Sequence, residues 1–124
     1  MEIGAAIFFT DYAIAPTELA VALEERGFES LWVAEHSHIP VTRRFSHPLG
    51  DAALTKEYYD VMDPFVTLSA AAAVTTRLKL GTAVCLVIQR DTIQTAKLVA
   101  FRGARGRGQG LLRGRQEINA HSGG

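Results

Sequence analysis

Cysteine is all but missing from this 124-residue chain: Cys85 stands alone, so no disulfide can form within the chain, and the usage leans towards a reducing compartment. No apolar stretch reaches the roughly 18 residues that a membrane-spanning helix requires, and the N-terminus has neither the basic start nor the apolar core of a secretion signal. These absences predict a cytoplasmic protein with no membrane partner. Metal ligands are scarce as well. His36, His38 and His47 have no Cys or carboxylate cluster to complete a tetrahedral set, and the two-residue spacing of His36 and His38 sends them to opposite faces of an extended chain, so no metal is expected.

A net charge of either sign is also missing, since 13 Lys/Arg balance 13 Asp/Glu, but the balance is uneven along the chain. Residues 1–100 hold 8 basic against 12 acidic residues, whereas residues 101–124 hold 5 arginines against Glu117 alone. Seven of the 11 glycines fall in that last stretch, so the chain changes character near Ala100. From Phe101 onward no helical or strand period is visible, and glycine makes order costly. Residues 101–124 are expected to be an Arg/Gly-rich tail that is disordered or translated out of frame. Arg-Gly segments can bind RNA by charge and stacking, but Phe101 is the only aromatic residue of the tail and no Arg-Gly-Gly repeat occurs. Nucleic acid is therefore not expected as a partner.

What is present in residues 1–100 is an alternation of short apolar runs and one-sided helical segments. Glu2 to Phe9 reads as a buried strand. Pro16 suits a first helical position, Leu19, Ala20, Ala22 and Leu23 give an apolar face, and Gly27 supplies a stop. Ser30 to Ala34 reads as a second strand. Asp63-Pro64 gives an N-cap with proline behind it for a helix over Phe65 to Val74. Leu78 to Val87 reads as a third strand, and its internal Gly81 marks a bulge, a close approach by a ligand, or packing. Asp91 caps a last helix from Thr92 to about Val99. Three β-then-α units in succession predict an α/β fold with a parallel sheet.

Two of the strands stop at chemically loaded edges, Glu35-His36-Ser37-His38 after the second and Thr82 to Leu86 in the third. In parallel α/β sheets reactive groups collect at the carboxyl ends of strands, so these two segments should face one cavity. Between them lies a connection of some 26 residues from His36 to Met62 that carries Arg43-Arg44 and Tyr58-Tyr59, a length typical of lids and binding loops.

Trp32-Val33-Ala34-Glu35-His36-Ser37-His38-Ile39-Pro40, Asp63-Pro64-Phe65, Arg77-Leu78-Lys79-Leu80-Gly81-Thr82-Ala83-Val84 and Gln89-Arg90-Asp91, taken in that order, resemble the luciferase-like monooxygenase superfamily, and within it the bacterial coenzyme F420-dependent oxidoreductases. The resemblance covers about residues 1–100. It implies a (β/α)8 TIM barrel, of which about three βα units are present and the rest is missing, since such a barrel takes roughly 250 residues. It also implies a flavin or deazaflavin at the carboxyl ends of the strands, backed by a bulge in the third strand with a non-prolyl cis peptide, which falls by position on Ala83–Val84. His36 matches the family histidine beside the reactive face of the ring. Glu35 orients His36 or contacts the cofactor, unless it is a solvated carboxylate, Thr82, Ala83, Val84 and Leu86 match cofactor-contacting positions, and Arg43 and Arg44 suit the acidic tail of F420.

The activity so implied is hydride transfer between F420 and an organic small molecule, with a reduced-FMN-dependent monooxygenase as the alternative. The full-length parent is compatible with a homodimer. Three units cannot close an eight-stranded barrel, so the 124-residue chain by itself is expected to be an inactive fragment.

Overall fold

The computed structural model describes residues 1–42 and 53–105, with side chains described as far as residue 100. Arg43, Arg44, His47 and residues 106–124 lie outside the described residues. The described chain is an alternation of three strands and four helices: β1 (Gly4–Ile7), α1 (Pro16–Glu25), β2 (Ser30–Val33), α2 (Lys56–Asp60), α3 (Pro64–Val74), β3 (Lys79–Thr82) and α4 (Thr92–Arg105), with a 3-10 turn at Val87–Gln89. The strands form one parallel sheet in the order β1-β2-β3. This is the α/β arrangement of successive units of a TIM barrel.

Helix ends follow local chemistry. Pro16 occupies the first turn of α1, and Gly27, at φ 76°, closes it in a Schellman arrangement: Phe28 N–H donates to Leu23 C=O at 3.0 Å and Gly27 N–H to Glu24 C=O at 3.2 Å. The Asp63 carboxylate accepts from Phe65 N–H at 2.8 Å and Val66 N–H at 3.1 Å, capping α3 with Pro64 behind it. Asp91 caps α4 by accepting from Gln94 N–H at 2.7 Å. That helix runs on to Arg105, past Val99 where the apolar period fades, because backbone hydrogen bonding needs no apolar stripe to continue.

Alternation divides the sheet into two faces. Register row Ala5–Leu31–Leu80 and row Ile7–Val33–Thr82 look towards α1 and α3. There Leu31, Val33 and Leu78 bury themselves with Ala20 and Leu23 of α1 and Leu68 and Ala71 of α3. Row Ala6–Trp32–Gly81 and row Gly4–Ser30–Lys79 look the other way. Trp32 spans that second face: its indole N–H donates to Ser30 Oγ at 3.0 Å beside Gly4, and its six-membered ring lies on Gly81. A Cβ at Gly81 would fall 2.5 Å and 2.7 Å from two ring carbons of Trp32, and one at Gly4 would collide with Ser30 Oγ. Of the three readings open for Gly81, packing is the one realised.

The third strand is shorter than its apolar run suggests. Ala83 N–H still donates to Val33 C=O at 2.8 Å, but the next peptide bond, Ala83–Val84, is cis, and beyond it the chain leaves the ladder. At the opposite end of the sheet, the Glu24 carboxylate accepts backbone N–H groups from Thr76 at 3.0 Å, Arg77 at 2.6 Å and Leu78 at 2.8 Å, joining the end of α1 to the turn that enters β3.

Two outcomes are expected. Gly81→Ala should destabilise the chain by about 1–3 kcal/mol in urea unfolding, and much of that cost should vanish in a Trp32→Leu background; an equal cost in both would show that the indole is not the obstacle. For Glu24, burial raises the pKa, but the N–H groups of Arg77, Leu78 and Thr76 outweigh it and hold the carboxyl below the ordinary 4.5. The folded state then prefers the ionised form, so Glu24 stabilises above its unfolded pKa and ceases to as pH falls through the folded one. The stability gap between wild type and Glu24→Gln should therefore be widest above about pH 5 and narrow in acid. A pH-independent gap would refute the linkage.

Candidate active site

The carboxyl ends of β1, β2 and β3 surround a cavity of about 340 Å³. Its walls near the sheet are small or flat: Ala6, Ala34, Ala83 and Val84, with the Trp32 indole among them. At the rim stand Phe8, His36 and Tyr58. Phe8 continues the alternation of Gly4 and Ala6 out of β1, which places it on the cavity side. Its ring is parallel to the His36 imidazole, with centroids 5.9 Å apart and planes within 1°. Tyr58 leans on both, 4.9 Å from Phe8 and 5.1 Å from His36.

Tyr58 comes from α2, a five-residue helix inside the long connection. That helix is tied down on either side. Met62 N–H donates to Phe9 C=O at 2.8 Å after it, and at its start Lys56 lies 4.2 Å over the Tyr12 ring while pairing with Asp60 at 3.1 Å. The segment therefore returns to the strand ends and completes the rim.

Burial in this wall pushes the His36 pKa below the ordinary 6.5, and the nearby negative charge of Glu35 only partly opposes it. The imidazole is accordingly neutral at neutral pH, one ring nitrogen able to accept a proton and the other to donate a hydrogen bond. Cys85 shows the reverse effect: burial first, then the charge and hydrogen bond of Glu35, raise its pKa and keep it a thiol.

Glu35 is buried, 3% exposed, and its carboxylate is fully engaged. One oxygen accepts from Leu86 N–H at 2.6 Å, and the other takes the Arg90 guanidinium. Arg90 reaches onward to Asp63 at 2.7 Å and lies 4.6 Å over the Phe65 ring. Burial raises the Asp63 pKa, but Arg90 and the capped N–H groups outweigh this and hold it below 3.8. Outside the cavity, Ser37 Oγ donates to Gln89 Oε1 at 2.5 Å and contacts His38 Nδ1 at 2.9 Å. Among the described residues no group of three or more His, Cys, Asp or Glu side chains is disposed to hold a metal.

The structure thus brings His36, Glu35, Ala83 and Val84 to one cavity. Thr82 is buried in the helix-facing row with Val33, and Leu86 approaches through its backbone N–H rather than by lining the cavity. Phe8, Trp32, Ala34, Tyr58 and Arg90 were not singled out as site residues from the sequence. Parity along β1 and β2 was the available signal for Phe8, Trp32 and Ala34, and the aromatic pair in the long connection was the one for Tyr58. Arg90 falls in the Gln89-Arg90-Asp91 motif, but nothing local shows its role, because its partners are 27 and 55 positions away.

No helix among the described residues is long and apolar enough to cross a membrane. The model of the luciferase-like monooxygenase family matches residues 13–101. Uncharacterized proteins of Mycobacterium tuberculosis strain H37Rv and of Mycobacterium bovis are each 44% identical to the chain over 102 residues, which take in 81% of this chain and 36% of theirs. The chain thus spans about a third of the length of the curated relatives it matches. Three parallel βα units with a cavity at their carboxyl ends are a partial TIM barrel, and with a match over most of its residues the chain belongs to the luciferase-like monooxygenase family.

Proposed function

We propose that the chain carries the ring-backing part of the active site of an F420-dependent oxidoreductase that passes hydride to or from an organic small molecule. The family generally uses FMN or coenzyme F420, which makes a flavin-type oxidoreductase the common ground. The observation that supports the reading most is the pairing of a neutral imidazole, His36, with a wall of small side chains at Ala34 and Ala83–Val84 across one cavity. A flat tricyclic ring needs such a wall, since any large side chain there would occupy its place. The residues fit the group.

A deazaflavin or flavin, when bound, supplies the hydride chemistry itself. The chain's residues supply position and polarity. Ala83 and Val84 set the depth to which a ring can enter, with Ala34 and Ala6 leaving room beside them. Phe8 and Tyr58 shut water away from the rim and hold the imidazole edge. His36 donates a hydrogen bond to the substrate's polar atom, or holds the proton that the substrate gains or loses as hydride moves. Glu35 lines the cavity and is joined to Leu86 behind it, and Thr82 acts through its place in the strand. The remaining walls of the pocket belong to the other units of the barrel, so the 124 residues alone are inactive.

Titration of the parental barrel with F420 and with FMN, followed by cofactor fluorescence, tests the reading. F420 should bind more tightly, and Ala83→Trp should abolish binding; tighter FMN binding would favour the monooxygenase, and wild-type affinity in Ala83→Trp would remove the strand as the backing of the ring. His36→Ala should lower turnover by about 100-fold or more with a smaller effect on affinity. The imidazole should titrate below 6.5 by NMR, and because the unfolded chain binds its proton at higher pH than the folded one, protonation should cost stability as pH falls from about 6.5. A His36 pKa above 6.5 would contradict the buried, neutral state.

A further inference from the structure

We propose that Arg90, which does not line the cavity, is the positioning residue that holds His36 against the Ala83–Val84 wall; this rests on the cavity being the cofactor site proposed above. The two walls arise from different strands and meet where ladder pairing has ended. After Ala83 N–H the backbone of the second wall makes no further ladder bond, and its next anchor is Leu86 N–H on the Glu35 carboxylate at 2.6 Å. Glu35 immediately precedes His36 in the chain. One carboxylate therefore fixes both sides of the cavity, to one by a covalent neighbour and to the other by a hydrogen bond.

A buried carboxylate holds its direction only if its remaining oxygen is also satisfied and its charge compensated. Arg90 does both, and its own orientation is fixed from outside the site. Its guanidinium is shared with Asp63, which is locked as the N-cap of α3, and its face lies over Phe65, which is 4% exposed in the first turn of that helix. The chain of contacts runs from a rigid helix start through Arg90 to Glu35, and from there to His36 and Leu86. A planar fork is required, because the two carboxylates are bound at once from different directions. Lysine would keep the charge and lose the bridge.

The test uses Arg90→Lys and Asp63→Asn, the second of which keeps an N-capping oxygen while weakening the bridge. Amide hydrogen exchange is read at Leu86, with Lys79 N–H, paired to Glu29 C=O at 2.9 Å in the ladder, as the internal reference. In Arg90→Lys the Leu86 amide should exchange about tenfold faster or more while Lys79 is unchanged, with Asp63→Asn in the same direction and smaller. F420 or FMN affinity of the parental barrel should fall about tenfold in Arg90→Lys. Unchanged exchange at Leu86, equal acceleration at Lys79, or wild-type cofactor affinity in Arg90→Lys would each overturn the proposal. If the wild-type barrel binds neither cofactor, the functional reading fails by itself, and the exchange measurements still decide whether Arg90 holds the two walls together.

Discussion

A carboxylate that is 3% exposed is costly to bury without partners, and the partners that Glu35 recruits determine how the carboxyl end of the sheet is built. Removing such a charge from water costs several kcal/mol before any compensation. Leu86 N–H and Arg90 provide the compensation, and in doing so they bring together the exit of β2, the exit of β3 and, through Asp63, the start of α3. Three segments far apart in sequence are thus fixed relative to one another by a single ion. The cavity lies where they meet.

The opposite end of the sheet uses the same device in a more exposed setting. Glu24 gathers three successive backbone N–H groups at the turn between α3 and β3, a place where no strand or helix supplies acceptors. Between these two carboxylates the sheet is held by packing on one face only, through Leu31, Val33 and the α1–α3 layer. On the other face the large group is Trp32, which rests on two glycines instead of on a helix. Helices on one side and side chains alone on the other is the division that a barrel wall requires.

Much of this division was legible in the sequence, because the signals are local. Gly27, Asp63-Pro64 and Asp91 mark helix ends through chemistry that acts within a few residues, and each does so in the structure. Ser30 to Val33 is a strand within one residue of its expected end. The third strand was read too long, since an apolar run reports burial and not pairing, and Val84 to Val87 leaves the ladder. Helix α2 was hidden because five residues carry too little periodicity to stand out from a loop. At the site, His36 and the cis bond at Ala83–Val84 were placed by motif. Arg90 escaped because an ion pair is set by three-dimensional proximity, and for the same reason the sequence singled out Glu35 without its partners Arg90 and Leu86.

The apolar groups that remain uncovered follow from the same geometry. In the order β1-β2-β3 the last strand has one ladder edge unpaired among the described residues. The residues that come after it, Val84, Val87, Ile88 and Ile93, are 60% to 93% exposed, whereas Leu23, Leu31, Val33 and Leu68 in the core between the sheet and α1 and α3 are buried. Exposed apolar side chains this close together in the chain are the kind that packing against a further element would cover. In an eight-unit barrel the next βα unit lies there, beside the third strand and its helix. Relatives of which the matched part is only 36% have the length to supply it. On the reading proposed above, the chain's own contribution is the imidazole, the small-residue wall and the Glu35–Arg90 pair that joins them, and further units of the barrel would close the pocket.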